Sequence, residues 1–161
     1  MLDFHDLYAS YAPEVYRFAY WLAGDLAEAE DVTSETFIRA WGRLGAVRTE
    51  TLKAYLLQIA RNVYLERIRK HRLQISLADV YPDPHPGPEA VAEEHAELAI
   101  VQRVLQALPE IDRAAFTLRV QQELPYEEIS RVLQLSVVAV KVKVHRARKK
   151  LLMARMSKEI V

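Results

Sequence analysis

The chain has 161 residues, no cysteine and a formal net charge of zero, with 51% hydrophobic and 27% charged residues. This composition predicts a globular protein of one ordinary or two small domains, and it excludes disulfides and thiolate metal sites. No apolar run approaches the roughly 20 residues of a membrane span, and the acidic first residues are unlike a secretory signal, so we expect a cytoplasmic protein without membrane insertion.

The charge is segregated along the chain although its sum is zero. Residues 1–35 hold eight acids against the single basic residue Arg17, and residues 73–110 hold seven acids against Arg103. Between and after them, residues 53–72 carry six basic residues and one acid, and residues 139–158 carry eight basic residues and no acid. This alternation of charge is more informative about binding partners than the net charge is. It also allows the acidic stretches to shield the basic ones.

Helical spacing of apolar residues predicts three helices in the first half. Pro13 lies within the first, which is expected to start or kink there, Gly45 is a reasonable stop for the second, and the third runs on to Arg72. Their apolar stripes are Phe4, Leu7, Tyr11, Val15, Phe18 and Leu22, then Thr33, Phe37, Ala40, Trp41 and Leu44, then Leu52, Leu56, Ile59 and Val63. Because three such stripes need one another for burial, we expect a three- or four-helix bundle over residues 1–72.

A proline-rich segment at residues 81–88 breaks any helix, and we expect a linker over residues 73–96. The second module, residues 97–161, opens with a stripe of Leu98, Val101, Leu105 and Leu108 that Pro109 ends. The chain is therefore predicted to be all-α, with two small helical modules.

The second module contains the strongest motif. A short helix over residues 126–133, with Pro125 before it, is followed by a tight connection at residues 134–136 and a basic helix for which Ser136 is a fit N-cap. Residues 138–144 alternate as a strand would, but Val137, Val140, Val144, Ala147 and Leu151 keep helical spacing, so we predict helix. This is the layout of a helix-turn-helix, whose second helix enters the major groove of DNA.

The face opposite the apolar stripe of this last helix presents Val142, Arg146 and Lys149, with Lys143, His145 and Lys150 on its flanks. We expect Lys143 and Arg146 to point away from the packed side, and Lys141 to lie nearer to it. A solvated cationic helix is the alternative for a basic run alone, and the preceding capped turn favours DNA binding.

No catalytic constellation is found. The five histidines lack ligand spacing, and no glycine-rich phosphate loop or GxSxG frame is present, so we expect neither an enzyme, nor a metal, cofactor or small-molecule substrate.

Several segments resemble the extracytoplasmic-function (ECF) sigma factors of RNA polymerase. Residues 25–41 (DLAEAEDVTSETFIRAW) look like the core-polymerase-binding segment, and residues 55–62 (YLLQIARN) resemble the start of the helix that reads the minus-ten promoter element. LPE at residues 108–110, LPYEEI at residues 124–129 and VKVKVHRARKKL at residues 140–151 resemble the module that reads the minus-thirty-five element. Gln134 stands where the family usually has glycine, and Val142 where a serine often follows the lysine.

The resemblance implies three sets of site residues. Asp31, Glu35, Arg39 and Trp41 would bind core polymerase. The minus-ten element would be bound by Arg61, Asn62, Glu66, Arg67, Arg69 and Lys70, beside a loop at residues 45–51 that would hold a flipped base. The minus-thirty-five element would be bound by Lys141, Val142, Lys143, His145, Arg146 and Lys149.

The resemblance also implies the partners: core RNA polymerase, promoter DNA and an anti-sigma factor. Two alternatives stay open from the residues: a helix-turn-helix transcriptional regulator that does not act as sigma, and an interaction protein that kept the polymerase surface and lost promoter reading. The acidic segment around Asp31 favours the sigma factor, and the altered recognition helix is the only support for the interaction protein.

Overall fold

The computed structural model describes residues 3–43, 52–78 and 96–160, and in these ranges it contains seven α-helices, one π-helical turn and no strand. The all-α prediction is confirmed. The N-terminal module consists of α1 (Phe4–Ala23), α2 (Leu26–Trp41) and α3 (Leu52–Ala78). The C-terminal module consists of α4 (Ala96–Ala107), α5 (Glu110–Phe116), the π turn (Thr117–Gln121), α6 (Tyr126–Leu133) and α7 (Val137–Ile160).

Aspartates begin the first two helices. Asp3 accepts a hydrogen bond from the backbone N–H of Asp6 at 2.7 Å, and Asp25 accepts one from Ala27 at 2.8 Å. Each carboxylate occupies an otherwise unpaired N–H of the first turn and lies at the positive end of the helix dipole. Gly24 separates α1 from α2 with a φ of +72°, a conformation that glycine adopts without strain.

Three predicted boundaries differ from the structure. α1 runs unbroken through Pro13, which is exposed, so water can bond to the carbonyl that lacks an N–H partner. α2 ends at Trp41 rather than at Gly45, which lies outside the described residues. α3 continues past Arg72 to Ala78, because residues 73–78 contain neither proline nor glycine.

The two modules pack against each other. α1 contacts α4, α5 and the π turn, and α3 contacts α6. One apolar core joins residues of both modules, with Phe18 and Leu56 from the first and Leu118 and Ile129 from the second among its fully buried side chains. A smaller cluster of the second module receives Trp21 of α1. The sequence left this arrangement undetermined.

Candidate nucleic-acid and polymerase interfaces

The turn between α6 and α7 has the geometry of a helix-turn-helix. Gln134 adopts the left-handed conformation, with a φ of 56°, and the N–H of Leu135 donates to the carbonyl of Ser130 at 3.1 Å. Ser136 then begins α7, its hydroxyl accepting from the N–H of Ala139 at 3.1 Å. A non-glycine residue in this conformation costs about 1–2 kcal/mol, which the closed turn and the buried faces of α6 and α7 offset.

α7 buries one stripe and exposes the opposite one. Val140, Val144 and Ala147 are fully buried against the other helices of the module. The exposed side carries the predicted DNA-binding residues Lys141, Val142, His145, Arg146 and Lys149. The prediction of helix over residues 138–144 is therefore confirmed.

Lys143 does not point away from the packed side, as the sequence had suggested. Its ammonium lies 3.4 Å from the carboxylate of Asp112 on α5, and that carboxylate is almost completely buried. Because a buried carboxylate without a partner is costly, this contact holds Lys143 to the module's interior. Arg146, by contrast, is exposed as expected.

Lys141 contacts an aromatic ring at the base of the helix-turn-helix. Its ammonium lies 5.4 Å from the centre of the Tyr126 ring, and the guanidinium of Arg119 lies 4.1 Å from the same centre. Both distances are within the range of cation–π attraction. Tyr126 thus restrains Lys141, whose side chain is nevertheless exposed, although the sequence predicts a place nearer the packed side.

The predicted polymerase-binding and minus-ten residues are bonded to one another. Arg39 of α2 donates to Glu66 of α3 at 2.6 Å and to Glu35 at 2.7 Å. Arg67 of α3 contacts Asp31 at 3.0 Å and forms a second, shorter ion pair with Glu28. The acidic face of α2 therefore neutralises part of the basic stretch on α3.

These ion pairs shift ionisation equilibria. The hydrogen bond from Arg39 is the main cause that lowers the pKa of Glu66. The hydrogen bonds to Glu66 and then Glu35 raise the pKa of Arg39, and the hydrogen bond to Glu28 raises that of Arg67. The charged forms of all three side chains are thus favoured in the folded chain.

An aromatic group lies at the end of α2. Trp41 is half-exposed and meets Phe4 edge-on at 5.5 Å between ring centres, and Tyr8 meets Phe37 in the same way at 5.0 Å. Ile38, which the sequence analysis did not single out, lies in the last turn of α2 and is 70% exposed. Its position four residues after Ser34 and seven after Asp31, on the exposed side of α2, was the only signal for it.

The remaining minus-ten residues divide into two groups. Asn62, Arg69 and Lys70 are exposed on α3. Arg61 is instead held by both carboxylate oxygens of Glu110, at 2.9 and 2.8 Å, in a bidentate ion pair between the two modules. The loop predicted to hold a flipped base lies outside the described residues.

Side chains of the second module donate to backbone carbonyls of α1 along the interface. Gln122 bonds to the carbonyl of Glu14 at 3.2 Å, and Gln106 to that of Leu22 at 3.3 Å. The buried guanidinium of Arg113 also bonds to the Leu22 carbonyl, and to the side chains of Gln106 at 2.9 Å and Tyr64 at 3.3 Å. In the sequence, the only sign of this role is the clustering of glutamines in the second module.

Within residues 3–43, 52–78 and 96–160, no group of histidine, aspartate and glutamate side chains is placed to hold a metal ion. In the same ranges, every helix is too short or too polar to cross a membrane.

Two family models match the chain: Sigma-70 region 2 over residues 7–74 and Sigma-70 region 4 over residues 98–151. The ECF RNA polymerase sigma factor SigE of Mycolicibacterium smegmatis is 33% identical over 156 residues, which are 94% of this chain and 61% of SigE. The ECF RNA polymerase sigma factor EcfG of Rhodopseudomonas palustris is 31% identical over 144 residues, which are 86% of this chain and 77% of EcfG.

The fold is also found in a solved structure. The sigma factor RpoE of Bartonella quintana, crystallised with the anti-sigma factor NepR, superposes with a TM-score of 0.79 at 23% identity, covering 96% of this chain and 97% of RpoE. This likeness extends to both modules in their packed arrangement. The two matched regions and the similarity to EcfG across most of both chains lead to one conclusion: this chain belongs to the ECF family of RNA polymerase sigma factors.

Proposed function

We propose that this chain directs core RNA polymerase to promoters, using α2 to bind the polymerase, α3 for the minus-ten element and α7 for the minus-thirty-five element. The division follows the predicted modules, residues 1–72 and 97–161. One observation supports this proposal most strongly: the same chain has an acidic α2 with exposed Trp41 and Ile38 and a helix-turn-helix with an exposed basic face. A regulator that only binds DNA has no use for the α2 surface.

The two modules must separate for this function. Elements centred near minus ten and minus thirty-five lie about 25 base pairs apart, or about 85 Å at about 3.4 Å per base pair. In the structure α3 contacts α6 directly, so one duplex cannot meet both modules as they lie. Seventeen residues separate α3 from α4, and an extended segment of that length reaches about 60 Å. Together with the width of the modules themselves, this reach is enough for the two modules to contact both promoter elements.

The packed arrangement is therefore a resting state in this proposal. In it Arg61 is engaged by Glu110, and Asp31 and Glu35 by arginines of the same module. Binding to polymerase exchanges these internal ion pairs for contacts with the partner. The chain acts as an initiation factor in the cytoplasm, where core polymerase and the chromosome are, and carries out no catalysis itself.

An anti-sigma factor is proposed as the further partner, because a sigma factor needs a switch. The similar RpoE was crystallised with one. Co-purification from the native cell under resting and stress conditions tests this partner, and recovery of no inhibitor under either condition would count against it.

The function is tested by transcription with core RNA polymerase on a genomic DNA library, with and without the chain. New start sites that share two spaced upstream motifs are the expected result. Binding to core enzyme without new start sites would instead support an interaction protein, and binding to DNA without core binding would support a regulator.

A pair of matched variants sharpens the test. Asp31 is exposed on α2 and Glu127 is exposed on α6. Asp31→Asn should weaken binding to core polymerase severalfold, since it removes one charge from the proposed interface. Glu127→Gln removes one charge elsewhere and should leave core binding unchanged.

A further inference from the structure

Five valines lie in the first two turns of α7, and packing explains only some of them. Val140 and Val144 are 0% and 1% exposed, so the hydrophobic core accounts for their side chains. Val138 and Val142 are 71% and 43% exposed. Both are β-branched residues that favour a helix less than alanine does, and they contribute little to the core.

Val138 and Val142 form a single exposed apolar pair. They are four residues apart, so their side chains are neighbours on one side of the helix, opposite the buried stripe. They occupy the second and sixth positions of α7, within the N-terminal half, which in a helix-turn-helix contacts base edges.

Polar and basic side chains surround this pair. Lys141 and His145 lie on one side of it, and Arg146 and Lys149 lie on the other side and beyond it, all exposed. A surface that is apolar at its centre and cationic at its rim fits a ligand with the reverse arrangement. The major groove of DNA has phosphates along both edges, and the thymine C5-methyl group is the apolar feature of its floor.

We propose that Val138 and Val142 read the methyl groups of thymines in the minus-thirty-five element, while the surrounding cations hold its phosphates. The inference rests on the proposed function and names what its recognition helix selects. It assigns base recognition at these two positions to an apolar contact.

Deoxyuridine tests the proposal, because it pairs with adenine as thymine does and lacks only the methyl group. Promoter fragments recovered from the start-site experiment are synthesised with each thymine of the upstream element replaced in turn by deoxyuridine. Binding of the full chain with core polymerase is then measured at fixed salt concentration. We expect about a fourfold loss of affinity at each contacted position, the effect of removing one buried methyl group.

Variants assign the effect to the valines. Val138→Ser with Val142→Ser should bind thymine and deoxyuridine fragments equally well, and Val142→Ala, which keeps a strong helix former, should reduce the difference. Val120→Ser is the matched control, because Val120 is 41% exposed and lies in the π turn outside α7. This control should keep the full preference for thymine. Circular dichroism verifies that each variant remains helical.

The outcomes separate the inference from the proposed function. Initiation at new promoters with equal affinity for thymine and deoxyuridine at every position overturns the inference and leaves the function intact. A thymine preference that survives in the double variant overturns it as well, since other groups must then read the methyl. The absence of initiation by the unaltered chain overturns the proposed function, and the inference with it.

Discussion

α3 and α7 both carry basic residues that the family resemblance assigns to promoter DNA, but the structure treats them differently. On α3, Arg61 and Arg67 are held in ion pairs with carboxylates of α5 and α2. On α7, Arg146 and Lys149 are exposed, and neither is ion-paired with any residue of the part of the chain that the structure describes.

If α3 and α7 bind promoter DNA as proposed, the difference bears on which of their basic residues are available in the packed state. Internal carboxylates compete with phosphate for Arg61 and Arg67, so under the proposed function these two arginines must leave their ion pairs before they bind DNA. The proposed DNA-binding residues of α7 need no such exchange, apart from Lys143, which is paired with Asp112. Basic residues of the two helices thus differ in how freely they can bind phosphate, because the fold places carboxylates beside those of α3.

The largest expected effect comes from the interface that keeps the modules together. Arg113→Met removes three hydrogen bonds from a charged donor, to Leu22, Gln106 and Tyr64, and leaves the buried Tyr64 hydroxyl without this partner, so the free energy of unfolding should fall by about 3 kcal/mol. Urea denaturation measures it. Arg131→Met is the control, because Arg131 is exposed on α6 and its loss should cost at most about 0.5 kcal/mol. Equal losses in both variants would mean that Arg113 does not hold the interface.

The next effect distinguishes Lys143 from Arg146 on the same helix. Lys143→Met should lower stability by about 2 kcal/mol, because Asp112 stays buried without its partner, and should leave the salt dependence of DNA binding unchanged. Arg146→Met should leave stability unchanged and reduce the slope of log affinity against log salt by about one. Denaturation and titrations at several salt concentrations measure both. A lower slope for Lys143→Met would return that residue to the DNA-binding set.

The sequence predicted much of the fold behind this comparison. What it missed are contacts between residues far apart in the chain. Helical spacing identified most of the buried faces of α1, α2, α3 and α7, because burial repeats every three or four residues, but Phe4 and Trp41 at the helix ends are exposed. Lys143 was misplaced because its partner, Asp112, is 31 residues away in the chain, and local spacing does not record such contacts. The glutamine and arginine donors at the module interface were not predicted for the same reason, and neither was the ion pair between Arg61 and Glu110.

Breaking the ion pair between the modules should release α3. Glu110→Gln removes the carboxylate that holds Arg61, and since both side chains are largely buried, we expect a loss of about 1–2 kcal/mol of stability. The freed Arg61 should raise affinity for single-stranded minus-ten DNA, measured by fluorescence anisotropy. The combined variant Arg61→Gln with Glu110→Gln should lose no more stability than the single variants, because the two side chains act as a pair. A fully additive loss would contradict the pairing.

The smallest effect concerns pH. Arg39 lowers the pKa of Glu66 in the folded chain below its ordinary value of 4.5, so the pair stabilises the fold above that value and its contribution is lost as the pH falls through the lowered pKa. Because both side chains are about one-third exposed or more, the contribution should stay below about 1 kcal/mol. Arg39→Gln should therefore be less stable than the unaltered chain near neutral pH, and the two should converge in acid. Urea midpoints across that range measure the convergence, and a constant difference would exclude Glu66 as its source.

The hydrogen bonds from side chains of the second module to α1 are accepted by backbone carbonyls. This affects which substitutions can break them. Every amino acid supplies a carbonyl, so a substitution at Glu14 or Arg17 leaves the acceptors for Gln122 and Gln121 in place. A substitution of either glutamine removes the donor itself. A screen for mutants that are active without their inducing signal should therefore recover changes in the glutamines and Arg113 of the second module far more often than changes on the facing side of α1.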